Sequence, residues 1–333
     1  MKKIISFLGL IRIYLSYSLK LTSCNYYPAR IWIESSSRCN LKCRFCVNKD
    51  LPSDMKGDMD FNLFKKIIDE ISGKVYDINL FHRGEPLLNR DIVSMVSYAA
   101  SRGIKTRIHT NATLLDKDLS RKLILAGLDL ISFSFDGYTK EEYEKNRAGA
   151  KFNENLGRII EFLEVKKELN SKKPYSIIQV IGQKEKFSRS ETGRQRKIFL
   201  KNFKKLPLNK IVARIPHNWG GLFKLNRPDK KRRVSDKKSL CTFPWYSLTV
   251  FYDGRVFLCP QDFEGKICLG DLNNERINEI FNGKIIKKMR DTLKSGKVES
   301  IIPCKDCDKI KRRTFLKIPL EYLGIFIKDH LRI

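Results

Sequence analysis

The sequence predicts an α/β fold, in which a partial (β/α)6 TIM-like barrel precedes a smaller C-terminal α+β domain. Six runs of β-forming residues occur between residues 29 and 215, and segments with helical periodicity follow the first four of them. Strands that alternate with helices in this way form parallel sheets with right-handed crossovers. A closed eight-stranded barrel would need two more strand–helix units, so we expect an open barrel. The 333 residues, 42% of them hydrophobic, suffice for a large core and a smaller one.

The predicted elements of the barrel follow one another in a regular order. Strands are expected at Ala29–Glu34, Val75–Phe81, Ile104–His109, Leu130–Phe135, Tyr175–Ile181 and Lys210–Ile215. Asp60 can cap a helix in which Phe61, Phe64, Ile67, Ile68 and Ile71 share one face. Further helices are expected over Ile92–Ser101, Leu114–Ala126 and Asn153–Leu169.

The alternation of strand and helix segments ends after Trp219-Gly220-Gly221, which marks the end of the barrel. Asp253-Gly254, flanked by Tyr246–Phe251 and Val256–Leu258, predicts a β-hairpin, and a helix is expected from about Ile277. We therefore divide the chain into an N-terminal amphipathic segment (residues 1–27), the barrel (28–225), the smaller domain (235–312) and a C-terminal amphipathic segment (313–333).

The chain is strongly basic, with 66 Lys and Arg against 37 Asp and Glu and a formal net charge of +29. Such a charge favours an anionic partner, but it also fits a solvated basic surface, because the lysines are spread along the chain. The densest runs, Lys184–Lys210 and Arg227–Lys238, are expected to be loops or connections. Neither carries the aromatic signature of an RNA-binding module, so a nucleic-acid partner is not expected.

Both termini are apolar and basic. Arg12 interrupts the apolar run in Met1–Lys20, which is too short for a transmembrane helix and lacks the uninterrupted centre of a signal peptide. We expect an amphipathic helix that packs on the barrel or lies on a membrane surface, and Phe315–Ile333 is similar. The predicted location is cytoplasmic, with peripheral contact at the inner face of the membrane left open.

Nine cysteines in short-spaced groups in a chain of this size favour metal ligation in a reducing compartment over disulfides. Cys39, Cys43 and Cys46 follow the first predicted strand. Three thiolates can each bind one iron of a cubane cluster, which usually takes four cysteines, and so leave one iron open for substrate chemistry. The alternative is a zinc site, although zinc loops favour C-x2-C pairs.

The C-x3-C-x2-C spacing, with Phe45 before the last cysteine, resembles the signature of the radical SAM superfamily. That resemblance implies a [4Fe–4S] cluster whose open iron binds S-adenosylmethionine (SAM). It also implies reductive cleavage of SAM to a 5′-deoxyadenosyl radical, with electrons supplied by a donor such as flavodoxin or ferredoxin. On this view Cys39, Cys43 and Cys46 are the catalytic, cluster-binding residues.

The ends of the next three strands carry further similarities to this family. Gly84-Glu85-Pro86 is similar to the G-G-E-P motif, with Arg83 in place of the first glycine. Thr110-Asn111-Ala112 and Ser134-Phe135-Asp136-Gly137 resemble the family's T-N-[AG] and S-x-D-G segments. The resemblance implies that SAM is held by Gly84, Glu85, Asn111, Ser134, Asp136 and Arg147. Phe45 either stacks near the adenine or belongs to the core.

Cys241, Cys259, Cys304 and Cys307 resemble parts of the SPASM/twitch extension of this family. The C-x2-C-x5-C-x3-C run of full SPASM domains is absent, so we expect one auxiliary [4Fe–4S] cluster with four cysteine ligands. A zinc ribbon is the alternative. Cys268 is expected to be structural, and Cys24 to be a free thiol.

A fully ligated auxiliary cluster has no open iron, so we expect it to transfer electrons. Hydrogen abstraction followed by loss of one electron would oxidise a small-molecule substrate, and this is the favoured function. A radical SAM peptide maturase is the second hypothesis, and a zinc-stapled basic protein that binds nucleic acid or membrane is the third. His82, Arg83, His109 and Arg214 lie near strand ends and are candidate substrate contacts.

Overall fold

The protein is described by a computed structural model that covers residues 2–181, 189–214, 216–223, 240–310, 314–315 and 318–319. In chain order the helices are α1 Lys2–Ser18, α2 Phe61–Ile71, α3 Ile92–Ser101, α4 Lys117–Leu125, α5 Lys140–Asn146, α6 Phe152–Glu168, α7 Arg189–Lys201, α8 Phe243–Tyr246, α9 Ile277–Phe281 and α10 Lys284–Lys294. The strands are β1 Arg30–Ile33, β2 Asp77–Asn79, β3 Lys105–Thr110, β4 Leu130–Ser134, β5 Tyr175–Ile181, β6 Lys210–Arg214, β7 Ser247–Val250, β8 Arg255–Phe257, β9 Cys268–Asp271, β10 Thr314–Phe315 and β11 Ile318–Pro319.

The chain divides into two compact units. The sheet unit consists of residues 30–216 and 250–255, and the second unit contains the described residues of 1–29, 217–249 and 256–333. Two predicted basic or amphipathic stretches, Arg227–Lys238 and almost all of Phe315–Ile333, lie outside the described residues. Among the residues that are described, no helix is long and apolar enough to cross a membrane.

The sheet unit is built on strands β1 to β6, which lie side by side in sequence order and are all parallel. One or two helices connect each strand to the next, from α2 between β1 and β2 to α7 between β5 and β6. β6 forms an edge, so the sheet is not closed onto itself. The predicted α/β fold with an open six-stranded barrel is therefore confirmed.

Helix α2 shows why the sequence folds as predicted here. The Asp60 carboxylate accepts hydrogen bonds from the backbone N–H groups of Asn62 and Leu63, at 2.8 and 3.1 Å, and so caps the helix. Phe64, Ile67, Ile68 and Ile71, spaced along one helical face, are buried. The apolar stripe and the cap both agree with the sequence analysis.

Helix α7 was not predicted, because the basic run Lys184–Lys210 was expected to be a loop or connection. Two phenylalanines explain the difference. Phe199 and Phe203 are buried, and the Phe199 ring lies 5.3 Å from that of Phe135, at the end of β4. Phe199 fixes one face of the helix, and Phe203, two residues beyond its end, anchors the turn that follows. The described basic side chains of α7 are exposed.

Asp77 at the start of β2 ties three neighbouring strands together. Its carboxylate is 1% exposed and accepts two hydrogen bonds from Arg30, at 2.6 and 2.8 Å, and one from Arg107 at 2.6 Å. Burial raises the pKa of Asp77, but the charges of Arg30 and Arg107 outweigh burial and hold that pKa below its usual value.

The turn after β2 packs against the loop that follows β1. A Cβ atom on Gly84 would lie 2.5 Å from the Ser36 carbonyl oxygen and 2.4 Å from that of Arg38. The next residue, Glu85, donates its N–H to the same Arg38 oxygen at 2.7 Å. Only glycine permits this close backbone contact, which positions the chain just before Cys39.

In the second unit, α1 packs through one face. The Tyr17 ring meets the Trp245 ring edge-on, with centroids 5.7 Å apart, and the Tyr17 hydroxyl donates to the Leu240 carbonyl at 2.9 Å. The Trp245 indole N–H donates to the Leu21 carbonyl at 2.8 Å. These contacts attach the end of α1 to the segment that contains α8.

Arg290 is the polar centre of this unit. Its fully buried guanidinium donates to the carbonyl oxygens of Thr22, Pro244 and Phe281 at 2.8 to 3.0 Å and lies over the Phe281 ring. Burial lowers the pKa of Arg290. One side chain therefore joins the N-terminal segment to α8 and α9.

The predicted hairpin around Asp253-Gly254 is present, since β7 and β8 are neighbours. The Phe251 N–H donates to the Arg255 carbonyl at 2.9 Å, and Gly254 adopts a φ of 93°. A positive φ at the turn is the conformation that glycine accepts most readily.

We expect Asp77→Ala to lower the free energy of unfolding by about 1–3 kcal/mol, because the partly buried Arg30 and Arg107 would lose their shared carboxylate. Urea unfolding followed by circular dichroism measures this. The matched control is Asp69→Ala, which removes a solvent-exposed pair with Arg102 and should change stability far less. Equal effects of the two substitutions would contradict a special role for Asp77.

We expect Gly84→Ala to displace the Ser36–Arg38 segment and to lower the iron retained after anaerobic reconstitution at least severalfold, since the added methyl group has no space. Gly157→Ala in α6 is the control, because its Cβ would meet no atom within 4 Å. Iron content and the thermal midpoint are the measurements. A Gly84→Ala protein that retained iron like Gly157→Ala would show that this contact does not position the loop.

Candidate functional site

The loop that carries Cys39, Cys43 and Cys46 lies in the sheet unit, directly after β1. The three cysteines are free thiols of intermediate exposure. Burial raises the pKa of all three, to about 12 for Cys46, and the nearby charges of Cys39 and Cys43 contribute to the shift at Cys46. The three sulfur atoms are therefore close enough for the charge of one thiolate to raise the pKa of another. Positive charge nearby, such as that of bound iron, would be needed to stabilise the thiolate forms.

Backbone hydrogen bonds hold this loop to the segment after α5. The N–H groups of Lys42 and Arg44 donate to the carbonyls of Ala148 and Asn146, at 3.1 and 2.9 Å. On the other side, the Asn48 amide donates to the Ser37 carbonyl at 2.8 Å and to the Arg83 carbonyl at 3.0 Å. Backbone carbonyls accept all four of these hydrogen bonds, so the loop is held to main-chain segments on both sides.

Glu85 is buried among hydrogen-bond donors. Its carboxylate accepts from the Thr110 hydroxyl and the Asn111 N–H, both at 2.7 Å, and from the Leu87 N–H at 3.1 Å. Burial nevertheless raises the pKa of Glu85 above its usual value. A buried carboxylate with this pKa shift would be stabilised by a cation that binds beside it.

Asn111 lies beside the cysteine loop. Its amide nitrogen is 2.9 Å from the Asn40 side-chain oxygen and 4.0 Å from the Cys39 sulfur. Its side-chain oxygen accepts from the N–H and hydroxyl of Thr113. The end of β3 is thus fixed against the first cysteine.

Asp136 and Arg147, both predicted to hold SAM, are paired with each other. The Arg147 Nη2 atom is 2.9 Å from the Asp136 carboxylate, whose other oxygen accepts from the Ile181 N–H at 2.9 Å. The Arg147 Nη1 atom lies 3.7 Å from the Cys43 sulfur. Among the described residues, the buried Arg147 Nε has no hydrogen-bond partner.

The charges of this pair follow from burial and from neighbouring groups. Burial raises the pKa of Asp136 and outweighs the effect of Arg147. Burial alone would lower the pKa of Arg147, but Asp136 and Cys43 raise it well above its usual value. Arg147 is therefore a permanent cation next to the cysteine loop, with one N–H still able to donate.

The two remaining predicted SAM contacts are less constrained. Ser134 ends β4 and is half-buried. Phe45 is also half-buried, and the Arg44 guanidinium lies 5.3 Å from its ring centroid. Phe45 is thus partly accessible rather than part of the buried core.

Arg83 is buried in an ion pair, although its place at a strand end made it a candidate substrate contact. It is 3% exposed, and its guanidinium forms two hydrogen bonds to Glu34, at 2.7 and 2.8 Å. The same group lies 3.6 Å from the centroid of the Phe251 ring. Arg83 replaces a glycine of the family motif and uses its side chain for a structural ion pair.

The histidine candidates are also held by neighbours. His82 stacks on Phe251, with its Nδ1 atom 3.8 Å from Glu34. The His109 ring stacks on Phe81 at 3.9 Å, and burial, followed by the charges of Arg214 and Arg107, lowers the pKa of His109 to about 3. His109 is therefore expected to be uncharged at neutral pH and not to bind an anionic substrate group by charge.

The remaining candidate, Arg214, is exposed and donates from Nε to the Gln179 side chain at 3.0 Å. Of the four proposed substrate contacts, it alone is exposed; His82 and His109 are half-buried, and Arg83 is buried.

Sequence reasoning missed Glu34 and Asn48, which position the site without belonging to a motif. Glu34 is fully buried, and although burial would raise its pKa, the hydrogen bonds from Arg83 and the proximity of His82 hold the pKa at about 2. Asn48 bridges the two loops described above. An acidic residue that ends an apolar strand was a possible signal for Glu34; nothing in the sequence distinguished Asn48.

The second group of cysteines converges in the second unit. Cys241, Cys259, Cys304 and Cys307 all line one cavity. Phe243, Leu258, Leu293 and Ile310 are among its apolar lining residues. Burial raises the pKa of Cys259, Cys304 and Cys307, followed by the charges of the other cysteines. Four thiols in an apolar cavity fit the donor set of one iron–sulfur cluster.

The other two cysteines lie outside this cavity. Cys268 is exposed at the start of β9, and Cys24 is buried with its N–H bonded to the Asn282 side chain at 2.9 Å. In the described part of the chain, no three or more His, Cys, Asp or Glu side chains gather as ligands of a single metal ion would. A cubane is a different case, because each thiolate binds a different iron.

Two family models match the chain. The radical SAM superfamily model matches residues 33–186, and a model of the SPASM iron–sulfur cluster-binding domain matches residues 241–308. The first range contains the three-cysteine loop and the second contains all four cavity cysteines. These matches favour iron–sulfur ligation over zinc at both groups.

Curated relatives match parts of the chain. A tungsten-containing aldehyde ferredoxin oxidoreductase cofactor-modifying protein of Pyrococcus furiosus is 29% identical over 160 residues, which cover 47% of this chain and 44% of that protein. Fe-coproporphyrin III synthase of Methanosarcina barkeri is 31% identical over 110 residues, 33% of this chain and 27% of the enzyme. PqqA peptide cyclase of Bradyrhizobium diazoefficiens is 31% identical over 112 residues, which cover 33% of this chain and 29% of that enzyme. The matched region spans less than half of each relative.

Solved structures share the fold. BtrN in complex with AdoMet and 2-DOIA is 19% identical, with a TM-score of 0.57 over 86% of this chain and 95% of BtrN. Streptococcus suis SuiB bound to the precursor peptide SuiA is 15% identical, with a TM-score of 0.63 over 85% of this chain and 71% of SuiB. The two family models together match about two thirds of the sequence, in the order barrel then cysteine-rich domain. The chain belongs to the radical SAM superfamily, with a C-terminal SPASM iron–sulfur domain and with SAM and iron–sulfur clusters as its cofactors.

Proposed function

We propose that this radical SAM enzyme oxidises a small molecule, using one SAM-binding [4Fe–4S] cluster and one auxiliary [4Fe–4S] cluster. The observation that carries the proposal is the pair of cysteine sets, three on the loop after β1 and four around one cavity of the second unit. Three ligands leave an iron open for SAM, whereas four ligands close a cluster and suit it to electron transfer.

At the first site, Cys39, Cys43 and Cys46 would hold the cluster. With SAM bound, this group supplies one-electron reductive cleavage of SAM to a 5′-deoxyadenosyl radical. The carboxylate of Glu85, raised in pKa and buried, would pair with the SAM ammonium group, next to Gly84. Asn111 and Ser134 would orient the methionine and ribose portions, and half-buried Phe45 would contact the adenine.

Arg147 is suited to the methionine carboxylate of SAM. Its Nη2 atom is committed to Asp136, which fixes the plane of the guanidinium, while its Nε atom remains a buried donor without a partner. A buried N–H of a permanent cation gains most from a carboxylate ligand. Asp136 would then orient Arg147 as well as contact SAM.

At the second site, Cys241, Cys259, Cys304 and Cys307 would hold the auxiliary cluster. The substrate would lose one hydrogen atom to the SAM-derived radical, and then one electron to this site and one proton to solvent, which is a net two-electron oxidation. An external donor such as flavodoxin or ferredoxin would supply the electron for SAM cleavage.

Peptide maturation is the second candidate function. It is favoured by the partial similarity to a PqqA peptide cyclase, although the similarity to Fe-coproporphyrin III synthase is of the same extent. Neighbouring reading frames would discriminate the two functions. A short precursor peptide encoded beside this chain would support maturation, and genes for small-molecule metabolism would support the oxidation.

The central test is anaerobic reconstitution. Two cubane clusters correspond to about eight iron and eight sulfide per chain. Incubation with SAM and dithionite should release 5′-deoxyadenosine. A colourless protein that binds zinc and leaves SAM intact would overturn the proposal.

We expect Cys39→Ala to abolish SAM cleavage, because the open-iron cluster would lose a ligand. Cys307→Ala should retain 5′-deoxyadenosine release in the absence of substrate but lose about four of the eight iron atoms. Chromatography of the nucleoside and iron analysis separate the two effects. Cys268→Ala is the control and should retain the full iron content. Full iron in Cys307→Ala would remove Cys307 from the auxiliary ligands.

We expect Arg147→Lys to weaken SAM binding about tenfold, because lysine keeps the charge but loses the planar fork shared by Asp136 and a carboxylate. Equilibrium dialysis of the reconstituted protein measures the dissociation constant. Arg121→Lys, which affects an exposed pair with Glu168, is the matched control. Equal SAM affinities of the two variants would contradict a contact between Arg147 and SAM.

A further inference from the structure

Helix α1 has an apolar surface that the described part of the chain leaves exposed. Leu8, Ile11, Leu15 and Leu19 are 59%, 40%, 50% and 67% exposed, although they lie on and just after a helix whose other side is packed. We call these four residues the α1 stripe. A helix that is apolar on all sides is normally buried, so an exposed apolar side indicates a missing partner.

The stripe forms one continuous line. With about 100° of rotation per residue, its four positions fall within an arc of about 80°, and Tyr17 lies on the opposite side of the helix. Tyr17 is 5% exposed and contacts Trp245 and Leu240. At about 1.5 Å per residue the stripe extends roughly 16 Å along the helix. The packed side attaches α1 to the second unit, and the stripe faces away from it.

The charged residues of α1 and of the segment just after it are all basic. Residues 1–29 contain no Asp or Glu, and their charged residues are Lys2, Lys3, Arg12 and Lys20. Arg12 is exposed and flanks the stripe, with its guanidinium 6.0 Å from the centroid of the Tyr26 ring. An apolar line bordered by basic groups is the pattern of helices that lie in the interface of an anionic bilayer.

We propose that α1 docks this protein on the surface of an anionic lipid bilayer, with the α1 stripe among the acyl chains and the basic groups at the lipid phosphates. Charge decides between the possible occupants. The whole chain carries a formal charge of +29, so a second copy would bring like charges together, whereas an anionic surface attracts them. Because α1 is already held as a helix by Tyr17 and Trp245, binding requires no folding of this segment.

The proposal is independent of the enzymatic function, because lipid binding requires neither SAM cleavage nor a substrate. The test uses the full-length reconstituted protein and vesicles of phosphatidylcholine, with or without phosphatidylglycerol. Flotation should show binding at least tenfold tighter to the anionic vesicles, and added salt should weaken it.

The decisive variant is Ile11→Glu/Leu15→Glu, which should reduce binding to anionic vesicles at least tenfold. Its matched control is Leu125→Glu/Leu222→Glu, which makes the same change in charge at two other exposed leucines, 68% and 44% exposed. The control should bind like the unaltered protein. Circular dichroism should show the same thermal midpoint for both variants, since all four side chains are exposed.

Three results would overturn the proposal. The unaltered protein could fail to bind anionic vesicles, or the stripe variant could bind as well as its control. Sedimentation velocity could also show a dimer that Ile11→Glu/Leu15→Glu converts to monomer, which would identify a second copy as the occupant of the stripe.

Discussion

The buried ion pair between Glu34 and Arg83 is the constraint on which the geometry of the first site depends. Glu34 lies at the end of β1, just before the cysteine loop, and Arg83 precedes the Gly84 turn at the end of β2. Glu34 also accepts from the N–H groups of Arg83 and Tyr252, at 3.2 and 3.3 Å. Such a pair contributes little net stability, but the loss of either partner leaves a buried charge, at a cost of about 3–5 kcal/mol. The pair therefore specifies one arrangement of these loops.

Much of the first site could be predicted because its residues lie at consecutive strand ends. Parallel strands bring their carboxyl ends to one edge, so Glu85, Asn111 and Asp136 could be placed near the cysteine loop from order alone. The partner of Arg83 could not be predicted in this way, because Glu34 is 49 residues earlier and no spacing rule links the two. The sequence shows only that Arg83 replaces a glycine of the family motif. The fold shows that its guanidinium pairs with Glu34.

The four cysteines of the second site were predicted from a family resemblance and not from spacing. Cys304 and Cys307 are three residues apart, but Cys241 and Cys259 reach the same cavity only through the arrangement of the second unit. Helix α7 was not predicted. Its composition is dominated by solvent-exposed basic residues, and burial of Phe199 and Phe203 against other elements overrides that local signal.

Arg290 has a consequence for how the chain acquires its structure during translation. Its guanidinium joins Thr22 to Pro244 and Phe281, so the Thr22 carbonyl cannot meet its donor until more than 260 further residues have left the ribosome. The sheet unit lies between them in the sequence and can fold first. Until Arg290 emerges, the Thr22 carbonyl has to bond to water, and the segment around it stays open to chaperones and proteases.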